Sequence, residues 1–170
     1  FGESIYRNNN QLIKDLKDDG NFSIGAAFYP ETHFESNDIQ DLIHLKRKVD
    51  LGADFLVSQI FFDNNKFFNF IEQAQKLDIN VPLCAGIMPV TSVSQVKRIT
   101  SLCKSSIPKK LEKILDKYGD NPESMQKAGF IYATEQIIEL LANDVPGIHL
   151  YAMNKSEVAK EIMKNIDFIR

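Results

Sequence analysis

Three observations predict an α/β fold built on a parallel sheet. Four short apolar runs recur along the chain, at 22–30 (FSIGAAFYP), 55–62 (FLVSQIFF), 82–89 (PLCAGIMP) and 147–153 (GIHLYAM). Each is followed by apolar residues at helical spacing, and parallel strands require crossovers of that length. The runs are nearly continuous rather than alternating, which is the pattern of strands covered on both faces. In such sheets ligands bind beyond the carboxyl ends of the strands, and the unusual residues gather there. Tyr29, Glu31 and His33 end the first run, and Gln59 and Asp63 the second. Pro89 and Gln95 follow the third, and Tyr151, Asn154 and Lys155 the fourth.

Taken in order, 8–19 carries Leu12, Ile13 and Leu16 at helical spacing and stops at Gly20, which suits a short helix leading into the first strand. Ser36 or Asn37 then caps a helix whose Ile39, Leu42, Ile43 and Val49 share a face, ended by Gly52. A third helix starts near Asn64, buries Phe67, Phe70, Ile71 and Ala74, and stops before the turn at 78–82. After the third strand, Thr91 or Ser92 caps a helix with Val93, Val96, Ile99 and Cys103 along one side. Pro108 opens another helix that Gly119 closes, so 101–118 forms an extra helical excursion before the fourth strand. A long pattern through Met125, Ile131, Ile137, Ile138 and Leu141 follows, and a final helix comes after Asn154. No repeat, linker or low-complexity segment interrupts this order.

A chain of 170 residues with 44% apolar content suffices for a real core in one domain or part of one. Four βα units are half of an eight-unit barrel, and they leave too many apolar strand edges to stand bare. The first residue is Phe1 rather than Met, so the sequence is expected to be a fragment. A net charge of −3 with both signs interspersed gives no basic surface for nucleic acid. No stretch nears the roughly 18 apolar residues of a membrane span, and no signal-peptide pattern opens the chain. A cytoplasmic protein is expected. Cys84 and Cys103 read as small buried residues, and two Cys with three His at unrelated spacings make no metal site.

Each candidate has a plain explanation. Tyr29-Pro30-Glu31 suits a strand-terminating turn. Lys46, Arg47 and Lys48 at a helix end complement its carbonyl pole. The phenylalanines at 61, 62, 67, 68 and 70 suit packing between helix and sheet. Gln59 is the exception, because an amide within an apolar strand is costly unless its donors and acceptors are met, so it demands a specific partner.

The motifs in combination resemble one family. The blocks 27–33 (AFYPETH), 45–53 (LKRKVDLGA), 58–63 (SQIFFD), 82–90 (PLCAGIMPV) and 147–155 (GIHLYAMNK) follow the order and approximate spacing of methylenetetrahydrofolate reductases. The resemblance implies a (β/α)8 TIM-type barrel holding FAD, of which this chain supplies about four βα units, with residues 1–170 as the C-terminal part of a single reductase domain. By position, Gln59 matches a glutamine that hydrogen-bonds the pterin edge of folate, and Gln95 one near the distal part of the substrate. Lys155 stands where the family commonly has an arginine for the folate carboxylate, keeping the charge without the bidentate geometry. Ile99 replaces a phenylalanine that stacks on substrate or nicotinamide in bacterial relatives. Tyr29, His33, Asp41, His44, Arg47 and Lys48 fall on positions resembling FAD contacts, with Arg47 and Lys48 suited to the pyrophosphate.

The implied activity is reduction of 5,10-methylenetetrahydrofolate to 5-methyltetrahydrofolate by hydride from reduced FAD, with NADH or NADPH as electron donor, in one-carbon metabolism and methionine biosynthesis. The family's general acid falls outside this chain, and Glu31 matches a structural position rather than that acid. The expected partners are the folate substrate and either the remaining N-terminal half or another copy of the chain. The fragment alone is expected to be inactive. Two rival readings stand beside this one: a pterin-binding βα-barrel domain of the methyltransferase type, which would carry no flavin colour, and a non-catalytic half-barrel interaction module.

Overall fold

The computed structural model describes residues 9–31 and 38–169. Its elements run α1 (Asn9–Asp19), β1 (Gly25–Phe28), α2 (Asp38–Asp50), β2 (Phe55–Ser58), α3 (Asn64–Lys76), β3 (Leu83–Ile87), α4 (Val93–Cys103), α5 (Lys109–Tyr118), α6 (Pro122–Ala142), β4 (Ile148–Leu150) and α7 (Ser156–Asn165), closed by a 3-10 turn at Asp167–Ile169. The strands form one sheet in the order β1-β2-β3-β4 with every pairing parallel. Strand order thus follows chain order, which is how consecutive βα units are laid down in a barrel wall. The expected four βα units are present, and the fold is α/β.

Local chemistry explains the boundaries. Asp63 caps α3 by accepting from the Asn65 N–H, and Ser92 caps α4 by accepting from the Gln95 N–H at 3.2 Å. Asn121 caps α6 through the Ser124 N–H, with Pro122 in its first turn. Of the paired alternatives, Ser92 rather than Thr91 is the cap, while Ser36 and Asn37 lie outside the described residues. Pro108 takes the N-cap position of α5, one residue before the place expected of it.

Two apolar cores divide the molecule. The larger lies between the sheet and its helices and contains Phe28, Leu56, Ala85 and Ile87 from the strands, with Leu42, Leu45, Phe67, Phe70, Ile137, Leu140 and Ile162 from the helices. Phe28 stacks on Phe70 at 4.6 Å between centroids and Phe61 on Phe67 at 5.1 Å, so the phenylalanines do serve as packing. The smaller core caps the carboxyl ends of β2 and β3. There Ile60, Phe62, Met88 and Val90 meet Val96 and Ile99 of α4, Leu111 of α5, and Met125 and Tyr132 of α6. The helical excursion is therefore α4 and α5 together, a lid over the strand exits. The 21 residues of α6 join the two cores, the first half under the lid and the second on the sheet.

Continuous apolar runs predict strands covered on both faces, and here the structure differs. In β1 the residues read exposed, half-buried, exposed, buried, and β2 alternates half-buried with buried. Helices cover the face that carries Phe28, Leu56, Ala85 and Ile87. The other face, with Ala27, Val57, Cys84, His149 and Tyr151, is left half-buried or exposed by the described residues. Cys84 on this face is a half-buried free thiol, as is Cys103, which ends α4 and packs against the smaller core; burial raises both pKa values.

Candidate functional site

The open face and the strand exits above it converge on Gln59. The residue lies one position beyond β2 rather than within a strand, where its N–H donates to the Phe28 carbonyl at 2.7 Å. Its side-chain Oε1 accepts from the N–H of Ile60 at 3.0 Å. One lone pair of Oε1 and both Nε2 hydrogens therefore remain for a ligand among the described residues, so the amide presents an acceptor and donors side by side. The specific partner demanded by the sequence is in part its own neighbour.

The segment that carries Gln59 is held from several sides. Ser58 Oγ accepts from the Gly86 N–H at 2.8 Å, and the Ser58 carbonyl accepts from Tyr151 Oη at 3.1 Å. Ser105 Oγ donates to the Ile60 carbonyl at 2.5 Å and Tyr132 Oη to the Phe62 carbonyl at 2.6 Å. The Tyr132 phenol is held well above the ordinary tyrosine range by burial first and by the nearby carboxylates of Asp63, Glu135 and Glu139 second, so it remains a donor throughout neutral pH. Tyr151 reaches from β4 across β3 to β2 because Gly86 has no side chain. A Cβ at position 86 would lie 2.7 Å from the Tyr151 ring and 2.3 Å from the Ser58 carbonyl oxygen. The sequence had placed Tyr151 at a strand exit; that Ser105 and Tyr132 serve this segment was not legible, since their only signal is a polar group within an apolar pattern.

Around this centre the other candidates divide. Tyr29 is exposed at the exit of β1 and close enough to Tyr151 to raise its pKa, after burial and Cys103. Gln95 is half-buried on α4, where its Oε1 accepts from both the N–H and the hydroxyl of Thr91 at 2.7 and 3.0 Å while its own N–H donates to the Ser92 hydroxyl. Its Nε2 is the group left to face a ligand. Ile99 is buried in the smaller core, where a larger stacking ring would have to displace neighbours. Lys155 occupies the exposed N-cap of α7 after two left-handed residues, Met153 and Asn154. A cation at the positive pole of a helix is unfavourable alone, and the two together make a place for an anion.

Along α2, the spacing of Asp41, His44 and Lys48 sets them on one flank of the helix with Arg47 beside it. Asp41, His44 and Arg47 are exposed. Lys48 is half-buried and donates to the Ala27 carbonyl at 3.3 Å, and burial lowers its pKa against the opposing pull of Asp41. His33 lies outside the described residues. Glu31 accepts from both the N–H and the hydroxyl of Ser106, tying the β1 exit to the α4–α5 loop. Only its Oε2 makes this tie, while its Oε1 is buried with no hydrogen-bond partner among the described residues. No group of three or more His, Cys, Asp or Glu able to hold a metal occurs among the described residues. None of the described helices is long and apolar enough to cross a membrane.

The chain is similar to several known proteins. The chain is 35% identical over 158 residues to methylenetetrahydrofolate reductase (NADH) 1 of Arabidopsis thaliana, covering 87% of this chain and 27% of that protein. To the 5,10-methylenetetrahydrofolate reductase of Escherichia coli K12 it is 32% identical over 152 residues, covering 89% of this chain and 51% of that protein. The chain thus spans about half the length of that bacterial relative and about a quarter of the plant one. A solved structure from Clostridium thermocellum, described as binding two copies of 5-methyl-5,6,7,8-tetrahydrofolic acid, matches with a TM-score of 0.59 at 19% identity over 94% of this chain and 58% of that one. At that identity the likeness is one of fold. The sequence model of methylenetetrahydrofolate reductase matches residues 3–167, nearly the whole chain, and so this chain belongs to the methylenetetrahydrofolate reductase family.

Proposed function

We propose that the complete protein is a flavin-dependent oxidoreductase that reduces 5,10-methylenetetrahydrofolate to 5-methyltetrahydrofolate, with NADH or NADPH as electron donor, and that residues 1–170 are the C-terminal part of its single barrel domain. The observation that carries this reading is Gln59, whose amide leaves donors and an acceptor side by side at a strand exit where the backbone is held by hydroxyls on alternate carbonyls. That edge complements the amide-like edge of a pterin.

The remaining residues take roles suited to their chemistry. Gln95 offers Nε2 to the middle of the folate, and Lys155 with the α7 N-terminus receives the glutamate carboxylate. The donor set on α2 suits FAD: Arg47 and Lys48 match the pyrophosphate, Asp41 and His44 can meet ribose and adenine, and Tyr29 stands at the β1 exit. When bound, FAD supplies the hydride relay between nicotinamide and folate. Protonation of the folate leaving nitrogen is assigned to a residue beyond this chain, because Glu31 matches a structural position of the family's motif and its Oε2 is held by Ser106. The open sheet face is covered in the working enzyme by the rest of the barrel or by a second copy, giving a cytoplasmic homo-oligomer.

The test separates the two half-reactions. In the complete protein, Gln59→Glu keeps an acceptor for the Ile60 N–H but removes both donors. Oxidation of the reduced flavin by methylenetetrahydrofolate should fall by about 10- to 100-fold, the cost of one unmet polar group, while flavin reduction by NAD(P)H changes less than about twofold. Equal losses in both would assign Gln59 to folding. A purified complete protein without flavin absorbance would favour the pterin-binding methyltransferase reading.

A further inference from the structure

From the last residue of β2 onward, every second carbonyl between Ser58 and Phe62 receives a side-chain hydroxyl. Tyr151 donates to Ser58, Ser105 to Ile60 and Tyr132 to Phe62. These three donors come from the end of β4, the α4–α5 loop and the middle of α6, so three separate elements converge on five residues. Ser105 and Tyr132 are both buried, at 6% exposure each, where an unmet carbonyl is costly and a made bond is geometrically strict.

We infer that Ser105 and Tyr132 are positioning residues for the reaction, which hold the exit of β2 so that the Gln59 amide faces the substrate in one orientation. The inference rests on the reductase reading above, in which Gln59 meets the pterin. Its logic runs through Ile60, which is gripped at both of its polar groups: the N–H by Gln59 Oε1 and the C=O by Ser105 Oγ. Releasing the carbonyl frees the residue to turn, and the N–H that fixes the Gln59 rotamer turns with it. Tyr132 secures the next alternate carbonyl, so that rotation cannot be absorbed downstream. The α4–α5 lid therefore does more than cover the small core, because its loop carries Ser105 to Ile60 and Ser106 to Glu31, coupling the exits of β2 and β1.

The experiment uses the complete protein with its flavin and the variants Ser105→Ala, Ser105→Thr and Tyr132→Phe. Both half-reactions are followed by flavin absorbance after rapid mixing, and thermal unfolding is recorded alongside. The expected result is that Ser105→Ala raises the folate concentration for half-maximal flavin oxidation, or slows that step, by about tenfold. Flavin reduction by NAD(P)H should stay within about twofold of the unchanged protein. Ser105→Thr, which keeps the hydroxyl, should recover most of the loss, and Tyr132→Phe should reproduce the same split. Parallel loss of both half-reactions with stability, or an unaffected folate step in Ser105→Ala, would overturn the positioning role and leave these hydroxyls as satisfiers of buried carbonyls. Unchanged protein whose reduced flavin is never oxidised by methylenetetrahydrofolate would instead overturn the reductase reading, and this inference with it.

Discussion

The two faces of the sheet are made from the same strands and treated in opposite ways. On one face Phe28, Leu56, Ala85 and Ile87 are sealed by α2, α3, α6 and α7 into a continuous core with stacked phenylalanines. On the other, Ala27, Val57, Cys84, His149 and Tyr151 meet solvent in whole or part. Along β1 and β2 the second face, with Ala27 and Val57, is as apolar as the first. What separates them is the presence of an apolar cover, and sequence patterns record what a strand tolerates on each face rather than what reaches it. The second face is the one that the described residues leave without an apolar cover.

The largest expected effect tests that asymmetry directly. In the 170-residue chain, Phe67→Ala removes a fully buried ring stacked on Phe61 and should cost about 3–5 kcal/mol. Val57→Ala, one strand position from the buried Leu56, should cost less than about 1 kcal/mol, because its side chain is already half in water. Urea unfolding of the two variants measures both. Repeating the pair in the complete protein sharpens the comparison, since a covered inner face should bring the Val57 cost toward core values. Comparable costs in the short chain would mean the open face is not open in solution.

Gly86 is the next test, because it lies on the open face yet has no room. An alanine there drives its Cβ to 2.3 Å from the Ser58 carbonyl, a backbone atom with no freedom to retreat. Gly86→Ala should therefore destabilise by about 1–3 kcal/mol despite the usual small gain of replacing glycine in a strand. It should also break the Tyr151 to Ser58 hydrogen bond. A neutral effect in urea unfolding would show that the Tyr151 ring does not lie across β3.

Legibility follows the same division. The parallel α/β order, the presence of seven helices and the start of α4 at Thr91 or Ser92 were readable, because each depends on neighbours within a few positions. What the sequence concealed were relations between distant segments: that Ser105 and Tyr132 would meet carbonyls at 60 and 62, that Tyr151 would need Gly86, and that α4 and α5 would cap the strands together. The two-sided burial implied by the apolar runs was a statement about the finished sheet, and only one side of it is met here. Gln59 was singled out as an amide inside an apolar strand, whereas it lies half-buried one residue beyond β2 and half of its acceptor capacity is answered by the adjacent Ile60 N–H.

Lys48 sits at the seam between the two faces and gives the smallest and most discriminating test. It leaves the flank of α2 to donate to Ala27 on the edge strand, and an edge lysine protects a bare strand from pairing with another chain. Burial lowers its pKa, with Asp41 opposing, so the folded chain holds this proton less tightly than the unfolded chain does. Between the lowered value and the ordinary lysine value the unfolded state binds more protons, and stability from this group therefore rises with pH. Flavin retention should move the other way, because only the protonated amine pairs with a phosphate, and its loss should begin below the pH at which an ordinary lysine titrates. Lys48→Arg keeps its charge at every accessible pH and should flatten both limbs. Between about pH 8 and about pH 10, the rate of FAD release from the complete protein on dilution should climb in the unchanged enzyme and stay nearly level in Lys48→Arg. Parallel pH profiles for the two proteins would assign Lys48 to the edge of β1 alone and remove it from the flavin site.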